Sequence, residues 1–216
     1  MARLKVAVLI SGRGSNLQSL LEACRQPGFP AEIALVISNR AEAQGLQRAK
    51  AASVPTVVVD HRNFADRESF DRAVDRTLRD AKVDLVCLAG FMRLLSEDFV
   101  LAWHGRLINI HPSLLPSFKG MHTHAQALAA GVRIHGCTVH FVTPDLDAGP
   151  IVAQAAVPVR SDDSEESLAA RVLVAEHRLY PLALQRVAAG RARLENGRVL
   201  FQDGSDGEPL LLHATD

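Results

Sequence analysis

The run Leu107-Ile108-Asn109-Ile110-His111-Pro112 sets a side-chain amide and an imidazole two residues apart at the end of an apolar stretch. Side chains alternate between the faces of a strand, so Asn109 and His111 share one face. At the C-terminal end of a parallel strand, that face opens on the crevice where α/β sheets bind ligands. Histidine can carry a proton near neutral pH, and an asparagine amide can donate to an oxygen that gains negative charge. The pair suits acyl transfer without a covalent enzyme intermediate. The plainer reading is a strand end with satisfied polar caps. Downstream, Thr143-Pro144-Asp145-Leu146-Asp147-Ala148-Gly149-Pro150 is a turn-rich loop with two carboxylates. They serve as turn formers, or one faces the histidine and favours its protonated form. Spacing does not choose between Asp145 and Asp147.

A second candidate precedes these. Ser11-Gly12-Arg13-Gly14-Ser15-Asn16 follows an apolar run and leads into a helical pattern. Glycines let a backbone approach a ligand closely, and a helix N-terminus offers unpaired N–H groups to an anion. The alternative is a tight turn with Ser15 or Asn16 as helix cap. A dinucleotide fingerprint needs a third glycine where Leu17 stands, and a P-loop needs Gly-Lys-Ser/Thr. A single small phosphate fits better than a nucleotide. Six of the nine histidines fall between His104 and His140, yet His122 and His124 lack the Cys or H-E-x-x-H partners of a zinc set. No metal is expected.

The elements that must position these residues alternate. Residues 6–10, 33–37, 56–59, 83–88 and 107–110 are short apolar runs, as in strands covered on both faces. Helical stretches at residues 17–24, 44–52 and 64–81 lie between them. In the last of these Phe70, Val74 and Leu78 recur at helical spacing. This β-α order predicts a doubly wound, mostly parallel α/β sheet with helices on both faces. Residues 137–142 and 151–159 extend the sheet as a hairpin or mixed addition. A long helix is expected over 164–189, capped by Asp163 with Glu166 and kinked or interrupted by Pro181. Beyond Gly190 the chain turns polar and short-stranded, and fraying is expected after Gln202.

With 216 residues, 48% hydrophobic and 22% charged, the chain suits one soluble globular domain. Twenty-four Lys and Arg balance twenty-four Asp and Glu, which points to neither nucleic acid nor membrane. Cys24, Cys87 and Cys137 form no C-x-x-C pair and are odd in number, as expected of a reducing cytoplasm. No segment reaches membrane length.

Read together, these segments resemble the folate-dependent, single-domain phosphoribosylglycinamide formyltransferases. The resemblance rests on residues 8–17 (VLISGRGSNL), 88–95 (LAGFMRLL), 108–116 (INIHPSLLP), His122-Thr123-His124, residues 139–143 (VHFVT) and 145–150 (DLDAGP), and Glu176-His177. It covers the chain from the first strand to about Pro181. It implies a formyltransferase-like Rossmann variant, with a catalytic domain at 1–190 and a C-terminal extension at 191–216 of short strands and a flexible tail. It implies that Asn109, His111 and Asp147 are catalytic. Gly14, Ser15, Asn16 and Glu176 would hold glycinamide ribonucleotide. Arg67, Met92, Arg93, Leu94, Leu95, Asn109, Thr143 and Asp147 would hold the folate. The implied co-substrate is 10-formyltetrahydrofolate, without a metal, in a cytoplasmic monomer or homodimer acting on small molecules in purine biosynthesis. Related formyl-handling families share the Asn-His-Asp set: methionyl-tRNA formyltransferases carry an added RNA-binding domain, and formyltetrahydrofolate hydrolases an N-terminal regulatory one. Lys119 stands where proline is common in the family, and Met121 where leucine is.

Overall fold

The computed structural model describes residues 2–202. The chain divides into two compact units, Met1–Asn109 and Ile110–Asp216. In the first, β1 (Leu4–Ile10), α1 (Ser15–Cys24), β2 (Ala31–Ser38), α2 (Gly45–Ala51), β3 (Thr56–Val58), a 3-10 turn (His61–Asn63), α3 (Arg67–Asp80), β4 (Leu85–Leu88) and α4 (Glu97–Ala102) lead into β5 (Leu107–His111). β1 pairs in parallel with β2 and β4, β2 with β3, and β4 with β5. Parallel pairing buries both faces, and residues 6–10 of β1 are fully buried. Helix α3 starts where the Asp66 carboxylate accepts from Ser69 N at 2.7 Å. It buries Phe70, Asp71, Val74 and Leu78 along one stripe.

The second unit continues from β5 through α5 (Thr123–Ala129), β6 (Ile134–Phe141), β7 (Ile151–Pro158), α6 (Glu165–Ala188) and the strands β8 (Ala192–Glu195) and β9 (Arg198–Phe201). β6 and β7 form an antiparallel pair whose connection is the acidic loop. α6 packs against both, burying Leu168, Val172, Ala175, Leu179, Tyr180, Ala183 and Leu184. Among the described residues the hydrogen-bonded order is β3-β2-β1-β4-β5-β6-β7, with β8-β9 a separate pair. This is the mostly parallel α/β sheet that the strand pattern predicts. β8 and β9 are short strands in the segment expected to hold them; the expected flexible tail lies outside the described residues.

Two local expectations are corrected. Of the two effects expected of Pro181, interruption does not occur: the long helix runs unbroken from Glu165 to Ala188. Proline forfeits one backbone bond there, but buried side chains flank it on both sides and hold the helix by packing. The cap is not Asp163 with Glu166. Ser164 and Ser167 exchange the bonds of a capping box, while Asp163 forms two 2.8 Å bonds to Arg171 that hold its carboxyl well below the usual carboxylate range. Finally, the residue pattern gives no sign of α4 and α5. They span six and seven residues, and no strand-to-strand alternation marks them in the sequence as it marks α2.

Candidate active site

In the first unit the chain leaves β1 through the glycine loop. Gly14, at φ 69°, ψ 33°, is itself the cap of α1, with no side-chain capping bond, so neither Ser15 nor Asn16 plays that role. A Cβ on Gly14 would stand 2.6 Å from Gly45 Cα. Glycine is therefore required here twice, for its left-handed backbone and for the approach of α2. Gly45 N donates to Gly12 O at 3.0 Å, and Arg48 Nε donates to Arg13 O at 3.0 Å, pinning the loop. A Cβ on Gly12 would meet nothing within 4 Å. Ser15 is half-buried and Asn16 buried in the first turn of α1.

The segment after β4 also lies in this unit. Met92 is 67% and Leu94 62% exposed, two large apolar side chains left in water. Arg93 stands over the Phe70 ring at 6.0 Å, and Leu95 is half-buried. Asp71 accepts from Ser96 N and holds the end of this segment to α3. Arg67 is exposed at the start of α3. Asn109 is half-buried in β5.

The second unit holds the imidazole and its carboxylate. His111 Nδ1 lies 3.5 Å from Asp147 Oδ2, with the side chains 7% and 9% exposed. His111 Nε2 donates to Phe118 O at 3.0 Å. Both neighbours of the ring are acceptors. Gly120 N donates to the same Asp147 Oδ2 at 2.8 Å. His140 Nε2 lies 4.0 Å from Asp147 Oδ1, and its Nδ1 donates to Phe141 O at 2.9 Å. Burial pushes the His140 pKa down. Asp147 has φ +48°, a left-handed conformation that Asp and Asn tolerate better than most residues. Two positions on, a Cβ at Gly149 would stand 1.8 Å from Phe141 O. That close approach seats the acidic loop on the end of β6 and turns Asp147 inward, while Asp145 stays exposed.

The remaining expected residues of this unit are placed as follows. Thr143 is half-buried with its hydroxyl toward Asp145 O at 3.4 Å, and Glu176 is buried in α6 at 7% exposure. His124 Nδ1 and His135 Nε2 meet at 3.2 Å with perpendicular rings. Burial, with His124 and His111 nearby, pushes the His135 pKa down to about 4. No three His, Cys, Asp or Glu side chains are grouped to hold a metal among the described residues. A cavity of about 430 Å³ opens beside Asp147, walled by residues 147–151 and 197–199 with Leu115, Pro116 and Lys119. Sequence reasoning assigns no role to His140, Phe118 or Gly120. His140 lies in the VHFVT stretch that carries part of the resemblance, whereas backbone partners leave no trace in residue types.

The class follows from comparison with known proteins. A family described as formyl transferase matches residues 4–184, and the chain belongs to that family. Its place within the family is narrower. Phosphoribosylglycinamide formyltransferase of Escherichia coli (strain K12) is 47% identical over 191 residues, which are 88% of this chain and 90% of that protein. The crystal structure of glycinamide ribonucleotide transformylase 1 from Symbiobacterium toebii matches with a TM-score of 0.90 at 48% identity, over 93% of this chain and 95% of that one. The chain is thus a member of the phosphoribosylglycinamide formyltransferases. The trifunctional purine biosynthetic protein adenosine-3 of Bos taurus is 54% identical over 198 residues, and this chain spans 20% of its length.

Proposed function

We propose that the chain transfers the formyl group of 10-formyltetrahydrofolate to the amine of glycinamide ribonucleotide in de novo purine biosynthesis. The observation that carries the chemistry is the buried His111–Asp147 pair, whose imidazole comes from the strand that also bears Asn109. In this reading the amine attacks the formyl carbon, and a C–N bond forms as the carbonyl opens to an oxyanion. Asn109 and His111 donate to that oxygen, His111 Nε2 exchanging Phe118 O for it. The amine proton passes to the folate nitrogen, the old C–N bond breaks, and the carbonyl closes. The products are the formylated amide and tetrahydrofolate. Preorganised donors of this kind contribute on the order of 3 kcal/mol each. Asp147 holds the ring's orientation and balances its charge.

Binding is divided among named residues. Gly14, Ser15 and Asn16 receive the substrate phosphate on backbone N–H groups at the start of α1, and Glu176 takes the glycinamide end. Met92, Leu94 and Leu95 cover the folate ring, with Asn109, Thr143 and Asp147 at its reactive end. Arg67 and Arg93 supply cations for folate carboxylates. No metal enters the scheme. No helix among the described residues is long and apolar enough to cross a membrane. The cytoplasmic location and the monomer or homodimer state belong to this reading, and three buried free thiols support the location.

The test is a spectroscopic assay for deformylated folate, with and without glycinamide ribonucleotide. Turnover should require both substrates. Formate release without the amine would make the chain a hydrolase instead.

A further inference from the structure

Three strand ends of the first unit are joined through one serine. Ser11 follows β1, Asn39 follows β2, and Gly90 to Met92 follow β4. Ser11 N donates to Gly90 O at 3.2 Å. The Ser11 hydroxyl accepts from Met92 N at 2.8 Å and donates to Asn39 Oδ1 at 2.6 Å. Asn39 O in turn accepts from His61 Nδ1 at 3.0 Å. Ser11 is 6% and Asn39 1% exposed. The hydroxyl thus uses its one proton and a lone pair on fixed partners. Alanine would strand a buried amide oxygen and release Met92 N, which a purely packing role would not require.

The position of Ser11 gives this bond a consequence. Ser11 is the residue before Gly12 and the loop assigned to the substrate phosphate, and Met92 opens the exposed segment assigned to the folate. Ser11 is continuous with the backbone of the glycine loop and bonds Met92 N directly, so the two segments bear on one residue. We propose that Ser11 is a positioning residue that couples the two ligand segments, so that the phosphorylated amine and the folate each strengthen binding of the other. This rests on the ligand assignments under Proposed function. Asn39 fixes the serine's rotor, so that its lone pair, not its proton, faces Met92. The coupling is reciprocal by necessity, and factors of about 5 to 150 are typical of such linkage.

Glycinamide ribonucleotide and tetrahydrofolate form a non-reactive pair, because no formyl group is present. Calorimetry gives the tetrahydrofolate Kd with and without saturating glycinamide ribonucleotide. In the parent protein the Kd should tighten about fivefold or more. In Ser11→Ala each ligand should still bind alone within about threefold of the parent, and the ratio should fall toward one. Ser11→Thr, which keeps the hydroxyl, should restore it. A parental ratio in Ser11→Ala, or a ratio of one in the parent, overturns the proposal. Failure of either ligand to bind the parent at all overturns the functional reading beneath it, which is a different result. Should Ser11→Ala not fold, amide exchange decides the matter in the parent chain. Glycinamide ribonucleotide alone should slow exchange at the Met92 amide several-fold, and an unchanged rate overturns the coupling.

Discussion

Asp147→Asn separates the charge of the acidic loop from its shape. Asparagine tolerates the +48° φ of this position as well as aspartate does. Its side-chain oxygen can still accept from Gly120 N, now bonded at 2.8 Å. The backbone turn and the seating of Gly149 on Phe141 should therefore survive. What is lost is the charge 3.5 Å from His111 Nδ1. Against a ring that carries a second proton in the transition state, an effective dielectric of about 20 makes that attraction worth about 5 kcal/mol. The asparagine's own bonding and the remaining water offset part of it. If about 3 to 4 kcal/mol of the loss reaches the transition state, kcat falls by roughly 10² to 10³. Steady-state kinetics with both substrates reads the loss, and a thermal melt within a few degrees of the parent shows that the fold is kept. Asp145→Asn is the internal control. Its side chain is exposed and is not placed against the ring, so its kcat should stay within about twofold, as surface changes generally do. Parental kcat in Asp147→Asn, with the melt unchanged, would refute the argument and leave the loop a turn.

Further outcomes follow from the same geometry. His111→Asn should lower kcat by at least about 10² while leaving both ligands bound, since it removes a donor to the developing oxyanion; near-parental kcat would sink the catalytic assignment. Gly14→Ala should destabilise the fold by more than about 1 kcal/mol, because its Cβ meets Gly45 Cα at 2.6 Å and its φ is left-handed. Gly12→Ala should melt normally, since space is open there, yet weaken glycinamide ribonucleotide more than folate; calorimetry showing equal weakening would remove the phosphate from this loop. His135 should make the protein acid-sensitive. Its pKa is depressed from 6.5 to about 4, so below about 6.5 the unfolded chain binds a proton that the folded chain refuses. Stability should be level above that pH, decline between about 6.5 and 4, and level again below, for a loss on the order of 3 kcal/mol. His124 and His140, also depressed by burial, act in the same direction. Urea midpoints across this range should show a shallower decline in His135→Gln than in the parent, and equal slopes would rule out His135 as the source.

The local code is legible wherever structure depends on neighbours in sequence. Apolar runs such as residues 6–10 read as covered strands because both faces are buried and every position is apolar. The Phe70, Val74 and Leu78 stripe marks α3, and period two places Asn109 and His111 on one face of β5. The glycines after β1 mark the turn into α1. Other features come only with tertiary structure. The residues alone leave Asp145 and Asp147 equivalent, and only the resemblance prefers the second. The folded chain separates them, since Gly149 packs against the Phe141 carbonyl and the left-handed turn at Asp147 aims its carboxylate at His111. Gly14 looks like a ligand cradle but is also demanded by Gly45, a residue on a different helix. Pro181 reads as a kink or an interruption, yet packing against β6 and β7 carries α6 through it without interruption. The Ser11 hydroxyl gathers three strand ends that lie far apart in the chain. Periodicity and turn chemistry act over a few residues, whereas these choices depend on which distant backbone atoms the folded chain brings within bonding distance.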